Sequence, residues 1–458
     1  GRGVSRFEDQ KVKQPKKDVG PHVLLYADRC IMCTRCVRFT REVTGTGELS
    51  VMGRGNKEEI DVFPGVPLAN ELSANVVDLC PVGALLDKDF LFAQRVWFLR
   101  ETASIDGITA SGDNIRVDHN EGKVYRIKPR FNAKINKHWI SDEIRYGWKW
   151  VNSDARLRTP MRKQFGLPVE CDPARAHEDI IAGARKAISS GKHLAVVVSP
   201  MLACEEAFAL ATLAKKLDPG AILAVGPVPF HGENKTFPIG AKPDDAKAYN
   251  IVAEKAPNAR GVRRVLASFG NVLEFADLLK SLGVGTGSSN VGAIILTGGY
   301  PSAWATPDLT SALSGKFVAL IDALNSDLAQ LADVVLPGAT WVEKAGTFEN
   351  WQNHLQSFDR AVPPRDGAKA EGQHALDLLA ALEGTPEPDQ EGVSLVWQSS
   401  PGQVAAGVTV ALARGETYDA AKLRAQMGSR AGLEAFATVE PPPAPTSSRV
   451  SDMEMIEL

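Results

Sequence analysis

The sequence predicts a multidomain α/β protein: a small cysteine-bearing domain, then a β-rich module, then a parallel α/β domain. Three observations predict it. The chain has 458 residues, 44% of them apolar, enough for roughly three domains of 100–200 residues with real cores. Four of its six cysteines, Cys30, Cys33, Cys36 and Cys80, fall within the first 80 residues. From about residue 190 to 345, strand-like apolar runs alternate with helix-like ones, the order that builds a parallel sheet with helices on both faces.

In chain order, residues 1–20 are basic and polar and read as a connector. Residues 21–95 read as one compact unit. "PHVLLYADR" is a short strand, the cysteine run follows, and "CVRFTREV" has the spacing to begin a helix. "ANELSANVVDLC" has helical spacing up to the break at Cys80-Pro81, because the residue before a proline is pushed out of the helical region. Residues 96–152 carry short alternating runs, "NIRVD" and "KVYRIKP", which read as small strands joined by Gly/Asn turns. Residues 153–435 supply the strands "HLAVVVSP", "AILAVGP", "GAIILTGG" and "KFVALIDA" and the helices "CEEAFALATLAKKL", "VLEFADLLKSL" and "AKAEGQHALDLLAALEG". Residues 436–458 read as a Pro-rich tail.

Composition removes several function classes. A net charge of −3 gives no polybasic surface for nucleic acid or for a membrane anchor. No stretch approaches the 18 or so uninterrupted apolar residues of a membrane span, so direct membrane insertion is not expected. The N-terminal residues lack the apolar run of a secretory signal. The first residue is Gly, and the expectation is a chain beginning inside a longer gene product. Six cysteines are too sparse for a disulfide scaffold, and their crowding near one end points to a metal site in a reducing compartment.

Soft thiolates select iron–sulfur clusters, zinc or copper(I). Structural zinc sites pair two separated knuckles, whereas C-x2-C-x2-C winds three sulfurs around one corner of a cubane. In the bacterial ferredoxin pattern a further cysteine follows after three residues, but here that position is Thr40. Cys80-Pro81 is the only Cys-Pro in the chain and supplies the missing fourth ligand. The expectation is one [4Fe–4S] cluster on Cys30, Cys33, Cys36 and Cys80, with a zinc site and idle thiols as the alternatives.

"RCIMCTRCVRF", "ANVVDLCPVGALLDKDF" and the opening "GRGVSRFEDQK" together resemble the large iron–sulfur subunit of respiratory complex I, the NADH:quinone oxidoreductase. The resemblance runs through most of the first 165 residues. It implies a ferredoxin-like cluster domain and an electron-transfer subunit of the peripheral arm, relaying single electrons from NADH toward quinone without a substrate site of its own. Partners would be the NADH/FMN-binding subunit and the subunits connecting to the quinone site. The place would be the cytoplasmic face of the inner membrane. Further [2Fe–2S] and [4Fe–4S] clusters, which the family carries in a preceding segment, are not expected in these residues. Cations and amide donors near a negatively charged cluster stabilise its reduced state, and Arg35, Arg38 and Arg41 stand in or beside the run, as tuning groups or as solvated arginines.

Residues 331–362, "LADVVLPGATWVEKAGTFENWQNHLQSFDRAV", resemble the molybdopterin-oxidoreductase domain. Members of that group hold another [4Fe–4S] cluster where this chain reads "ASIDGITASGDNIRVD" and "HWISDEIRYG". The corresponding positions are Asp106, Thr109, Asp113 and Ser141, whose hard oxygens do not hold a cubane. A vestigial module without its metal is expected, and no molybdopterin. Cys171 and Cys204 stand in no ligand motif and read as idle thiols. The eight histidines, scattered singly, receive no ligand role, and Glu343 is as readily a salt-bridge partner as a chemical group. "GVGTGSSNVG", 283–292, reads as a turn rather than a phosphate loop. The rivals are a molybdenum-dependent, NAD-linked formate dehydrogenase-type enzyme, the small subunit of an NAD-reducing hydrogenase, and a zinc-bearing assembly scaffold.

Overall fold

The computed structural model describes residues 16–285, 289–383 and 417–443. Most of the connector, the centre of the glycine-rich turn and most of the Pro-rich tail lie outside the described residues.

In the first unit, Val23–Tyr26 is the middle strand of a three-stranded antiparallel sheet with Lys16–Asp18 and Leu85–Asp87. The last residues of the expected connector therefore join this sheet. A hairpin, Leu49–Met52 with Glu59–Val62, covers a core that includes Leu25, Phe39, Leu49, Ile60, Leu72 and Leu79. The helix expected after the cysteine run is one α-turn, Arg35–Arg38, widening into a π-turn over Phe39–Val43. The helix before Cys80 is shorter than the apolar spacing suggests: residues 71–74 are turns, and only Asn75–Leu79 is α-helical.

The second unit is an antiparallel meander of Arg100–Ile105, Asn114–Asn120 and Lys123–Pro129, followed by the helix Asp142–Tyr146. It does not close its own core. Ile105, Ile115 and Ile127 pack with Trp341, Phe348 and Phe358 from far along the chain. Gly107 lies so close under the Trp341 indole that a Cβ there would stand 2.4 Å from the ring.

The third unit is an eight-stranded sheet. Six strands are parallel, in the spatial order Val272–Leu273, Ile222–Val225, His193–Val198, Val291–Thr297, Phe317–Asp322 and Val334–Pro337. Chain order along the sheet is thus 3-2-1-4-5-6, the doubly wound arrangement, reversing between His193–Val198 and Val291–Thr297. An antiparallel hairpin, Met161–Gln164 with Leu167–Glu170, extends one edge. Strands covered on both faces read as continuous apolar runs, and their side chains divide by parity. Leu194, Val196 and Val198 meet the helices Pro173–Ser189, Cys204–Leu217, Ala259–Ala267 and Glu371–Glu383. Ala195 and Val197 meet Phe275–Ser281, Pro307–Ala312 and Asp327–Leu331 on the opposite face. Among the described residues no helix is long and apolar enough to cross a membrane.

Candidate metal centre

The cysteine run leaves the strand Val23–Tyr26 through one 3-10 turn, Ala27–Arg29, and then winds tightly. Met32 and Thr34 both take positive φ, 54° and 61°, although neither is glycine. Left-handed residues at alternate positions turn three side chains inward, and such backbone strain persists only where the surroundings impose it. The chain then returns at the end of Asn75–Leu79 with Cys80 extended (φ −75°, ψ 110°).

These two segments bring all four predicted cysteines to one hollow, lined also by Leu25, Ile60 and Leu85. Cys36 is buried, and Cys30, Cys33 and Cys80 are half-buried. The Met32 amide lies 3.4 Å from Cys30 Sγ and the Ala84 amide 3.3 Å from Cys80 Sγ, each donating to sulfur. The Val37 amide donates to Cys36. Burial pushes the Cys36 thiol up to about 12, with Cys30, Cys80 and Cys33 adding to the rise. Four such thiolates coexist only around a cationic centre. Arg35 lines the hollow, whereas Arg41 is exposed.

By donor type, four soft thiols converging on one hollow fit an iron–sulfur cluster.

Residues that sequence reasoning missed hold Cys80 in place, and they come from the second unit. The Asp142 carboxylate accepts from the Ala74 amide (3.0 Å) and the Ser73 hydroxyl (2.6 Å) at the start of the Asn75–Leu79 helix. Asn75 Nδ2 donates to the Ile140 carbonyl at 2.8 Å, and Arg145 Nη2 lies 2.6 Å from Asp78 Oδ2. Burial opposes ionisation of Asp78, but Arg145 and Lys128 hold its carboxyl below the ordinary value. No sequence signal marks these contacts, because each spans more than sixty residues.

The four oxygen-bearing positions of the second module stand close together, but filled. Asp106 accepts from the Ile108 amide (2.8 Å) and from the hydroxyls of Thr109 (2.5 Å) and Ser111 (3.2 Å). Asp113 accepts from the hydroxyl of Tyr249, which arrives from the third unit. Ser141 caps the helix Asp142–Tyr146 through the Ile144 amide. Burial pushes Asp106 up to about 6 and Asp113 up to about 8, the neighbouring Asp106 charge adding to the latter. These residues satisfy one another and do not fit a cluster.

The doubly wound sheet has its own ligand crevice, outside the carboxyl ends of the strands where their order reverses. Here Asp322 packs against Gly298, where a Cβ would meet its carboxylate at 2.0–2.2 Å. Asp322 accepts from the amides of Gly299 (2.8 Å) and Ala323 (2.7 Å) and from the Trp304 indole (2.9 Å). Tyr300, buried across the same crevice, donates to the Pro227 carbonyl at 2.8 Å. Two amides at this crevice, those of Gly299 and Ala323, are thus taken by a carboxylate of the chain itself. Cys204, wholly buried beside Asn258, and half-buried Cys171 lie away from the four-cysteine hollow. Glu343 is structural: it forms a bidentate pair with buried Arg156 (2.8 and 3.2 Å) and accepts from Thr340.

Comparison with known proteins gives three family matches. Residues 20–86 match the NADH-quinone oxidoreductase subunit 3 ferredoxin-like domain, 99–149 the NADH-ubiquinone oxidoreductase NDSU1/NuoG-like 4Fe-4S domain, and 279–376 molybdopterin oxidoreductase. The mitochondrial NADH dehydrogenase [ubiquinone] iron-sulfur protein 1 of Solanum tuberosum is 45% identical over 161 residues, 35% of this chain and 22% of that protein. The G-type subunit of the NADH-quinone oxidoreductase of Rickettsia felis is 36% identical over 217 residues, 47% of this chain and 32% of the relative. The NADH-ubiquinone oxidoreductase 75 kDa subunit of Acanthamoeba castellanii is 45% identical over 166 residues, 36% and 24% of the two chains. The matched stretches thus span about a quarter to a third of these relatives. A solved structure, acetylene hydratase from Pelobacter acetylenicus, matches 24% of this chain and 15% of that one at a TM-score of 0.19 and 23% identity, too little to carry an argument. With matches to an Nqo3-type ferredoxin-like domain, an NDSU1/NuoG-like 4Fe-4S domain and molybdopterin oxidoreductase in that order, the chain is a complex I NuoG/75 kDa subunit-like protein.

Proposed function

We propose that this chain is an electron-transfer subunit in the peripheral arm of an NADH:quinone oxidoreductase, relaying single electrons from NADH toward quinone through one [4Fe–4S] cluster on Cys30, Cys33, Cys36 and Cys80. The observation that carries the proposal is the meeting of these four cysteines around one hollow. When bound, the cluster supplies a one-electron couple, and the chain provides position and electrostatics rather than a substrate site. The left-handed residues Met32 and Thr34 turn the sulfurs inward, Leu25, Ile60 and Leu85 keep water from one side, and the amides of Met32, Val37 and Ala84 donate to sulfur. Such donors favour the more negative, reduced state. Arg35 acts in the same sense from the rim of the hollow. In this proposal the vestigial module at 96–152 braces Cys80, and the α/β domain at 153–435 is a scaffold. Its partners are the NADH/FMN-binding and quinone-connecting subunits, and its place is the cytoplasmic face of the inner membrane.

Replacement of single cysteines tests the ligand set. In anaerobically prepared protein, Ala at Cys30, Cys33, Cys36 or Cys80 is expected to abolish cluster iron and the broad absorption near 400 nm. Cys171→Ser and Cys204→Ala are expected to leave both unchanged. Full iron in Cys80→Ala, or its loss in Cys171→Ser, contradicts the assignment.

A further inference from the structure

Outside the thiols, one other set of ligand-type side chains comes together among the described residues. His177 stands in the first turns of the helix Pro173–Ser189, and His374 and Asp377 stand one turn apart on the helix Glu371–Glu383. One ligand atom from each lies within 4.8 Å of the other two, and the three residues are 4%, 1% and 1% exposed. The two imidazoles meet edge to face at 5.9 Å.

The protonation pattern of His374 is fixed by its neighbours. Its Nε2 lies 3.0 Å from the Pro337 carbonyl, which can only accept, so the ring proton sits on Nε2 and Nδ1 keeps its lone pair. Nδ1 has no hydrogen-bond partner among the described residues. A buried acceptor without a donor is costly, and an imidazole whose far N–H is tied to a backbone carbonyl is oriented as metal-bound histidines are. Asp377 is steadied by Gln373 Nε2 (2.7 Å) on Oδ1 and Lys369 Nζ (2.8 Å) on Oδ2, and each carboxylate oxygen retains a second lone pair.

We propose that His177, His374 and Asp377 form a structural zinc site that ties the helix Pro173–Ser189 to the helix Glu371–Glu383. Two imidazoles and one carboxylate are a donor set for zinc and unlike the all-oxygen cages of calcium or magnesium, and a water completes a tetrahedron. Lys369, whose side chain is 13% exposed, holds the carboxylate when the ion is absent and can swing toward solvent when it enters. The proposal is independent of the four-cysteine centre.

The test uses the full chain with its iron in place, freed of adventitious metal and titrated with Zn²⁺ or Co²⁺. One zinc ion per chain is expected to survive gel filtration and to raise the unfolding temperature, with an absorption edge spectrum showing nitrogen and oxygen neighbours and no sulfur. Cobalt is expected to give visible ligand-field bands without a thiolate charge-transfer band. His374→Gln and Asp377→Asn, with parental circular dichroism and iron content, are expected to weaken zinc binding at least about tenfold, and His177→Asn replaces either if it does not fold. A parent that retains no zinc, a zinc with sulfur neighbours, or undiminished binding in the folded variants overturns the proposal.

Discussion

Asp113 illustrates how burial changes the chemistry of a single residue. A buried carboxylate is held as the acid, with the Tyr249 hydroxyl beside it, where a hard oxygen cannot serve iron. Its ordinary value of 3.8 rises to about 8 on folding, so the folded state binds the proton more tightly than the unfolded chain. The resulting stabilisation is complete below the unfolded value and is lost as pH rises through the folded one. Asp113→Asn keeps an acceptor for Tyr249 but cannot titrate. Denaturant unfolding between pH 4 and pH 8 is therefore expected to show a smaller loss of stability with rising pH in the variant than in the parent. Equal slopes contradict this role. At this scale the sequence was informative about thiols and poor about their supports. Cys30, Cys33, Cys36 and Cys80 announce themselves by soft donor type and by the Cys-Pro step, because a cluster tolerates few other side chains. Tyr249, Asp142 and Arg145 are ordinary residues made important by contacts across 65 residues or more, and His177 and His374 meet only because two helices pack. Local spacing carries none of that.

Among the elements, the short helix Asn75–Leu79 matters most, since Cys80 is its C-terminal cap residue. Five helical residues are too few to persist alone. Asp142 supplies the capping acceptor that this helix lacks from its own N-cap, Ala74, and Arg145 grips its last turn at Asp78. Asp142→Ala is expected to cost about 1–2 kcal/mol, the usual worth of a lost cap. It is also expected to speed release of iron to a chelator several-fold while leaving the Cys30–Cys36 loop unchanged by amide hydrogen exchange. Unaltered iron release would show that the second unit does not brace the cluster. The elements expected from periodicity fared according to their length. Cys204–Leu217 spans the same residues as its predicted helix, and His193–Val198, Val291–Thr297 and Phe317–Asp322 lie where continuous apolar runs placed them. The expected helix "VLEFADLLKSL" loses its first two residues, Val272 and Leu273, to the sheet edge, because strand pairing there outweighs helical spacing. The helix Pro173–Ser189 and the strand Val334–Pro337 drew no local expectation, and both acquire their character from the sheet they cover or join.

For the whole molecule, three units in sequence share interfaces that make them interdependent: the meander borrows Trp341, Phe348 and Phe358, and the cluster unit borrows Asp142 and Arg145. A doubly wound sheet was legible as a class from its alternation of strands and helices, but its 3-2-1-4-5-6 order was not, since spatial order depends on which edge each crossover selects. Nor was the closing of its crevice by Asp322, Trp304 and Tyr300. The role proposed for the molecule is a single redox one, electron transfer at the thiols. The most direct test is metal analysis of the anaerobically purified chain together with electron paramagnetic resonance of the dithionite-reduced protein. The account predicts about four irons with equal sulfide, no molybdenum, and one reduced [4Fe–4S] spin per chain, lost in Cys80→Ala. Zinc bound by sulfur in place of iron, a second cluster's worth of iron, or stoichiometric molybdenum would contradict it.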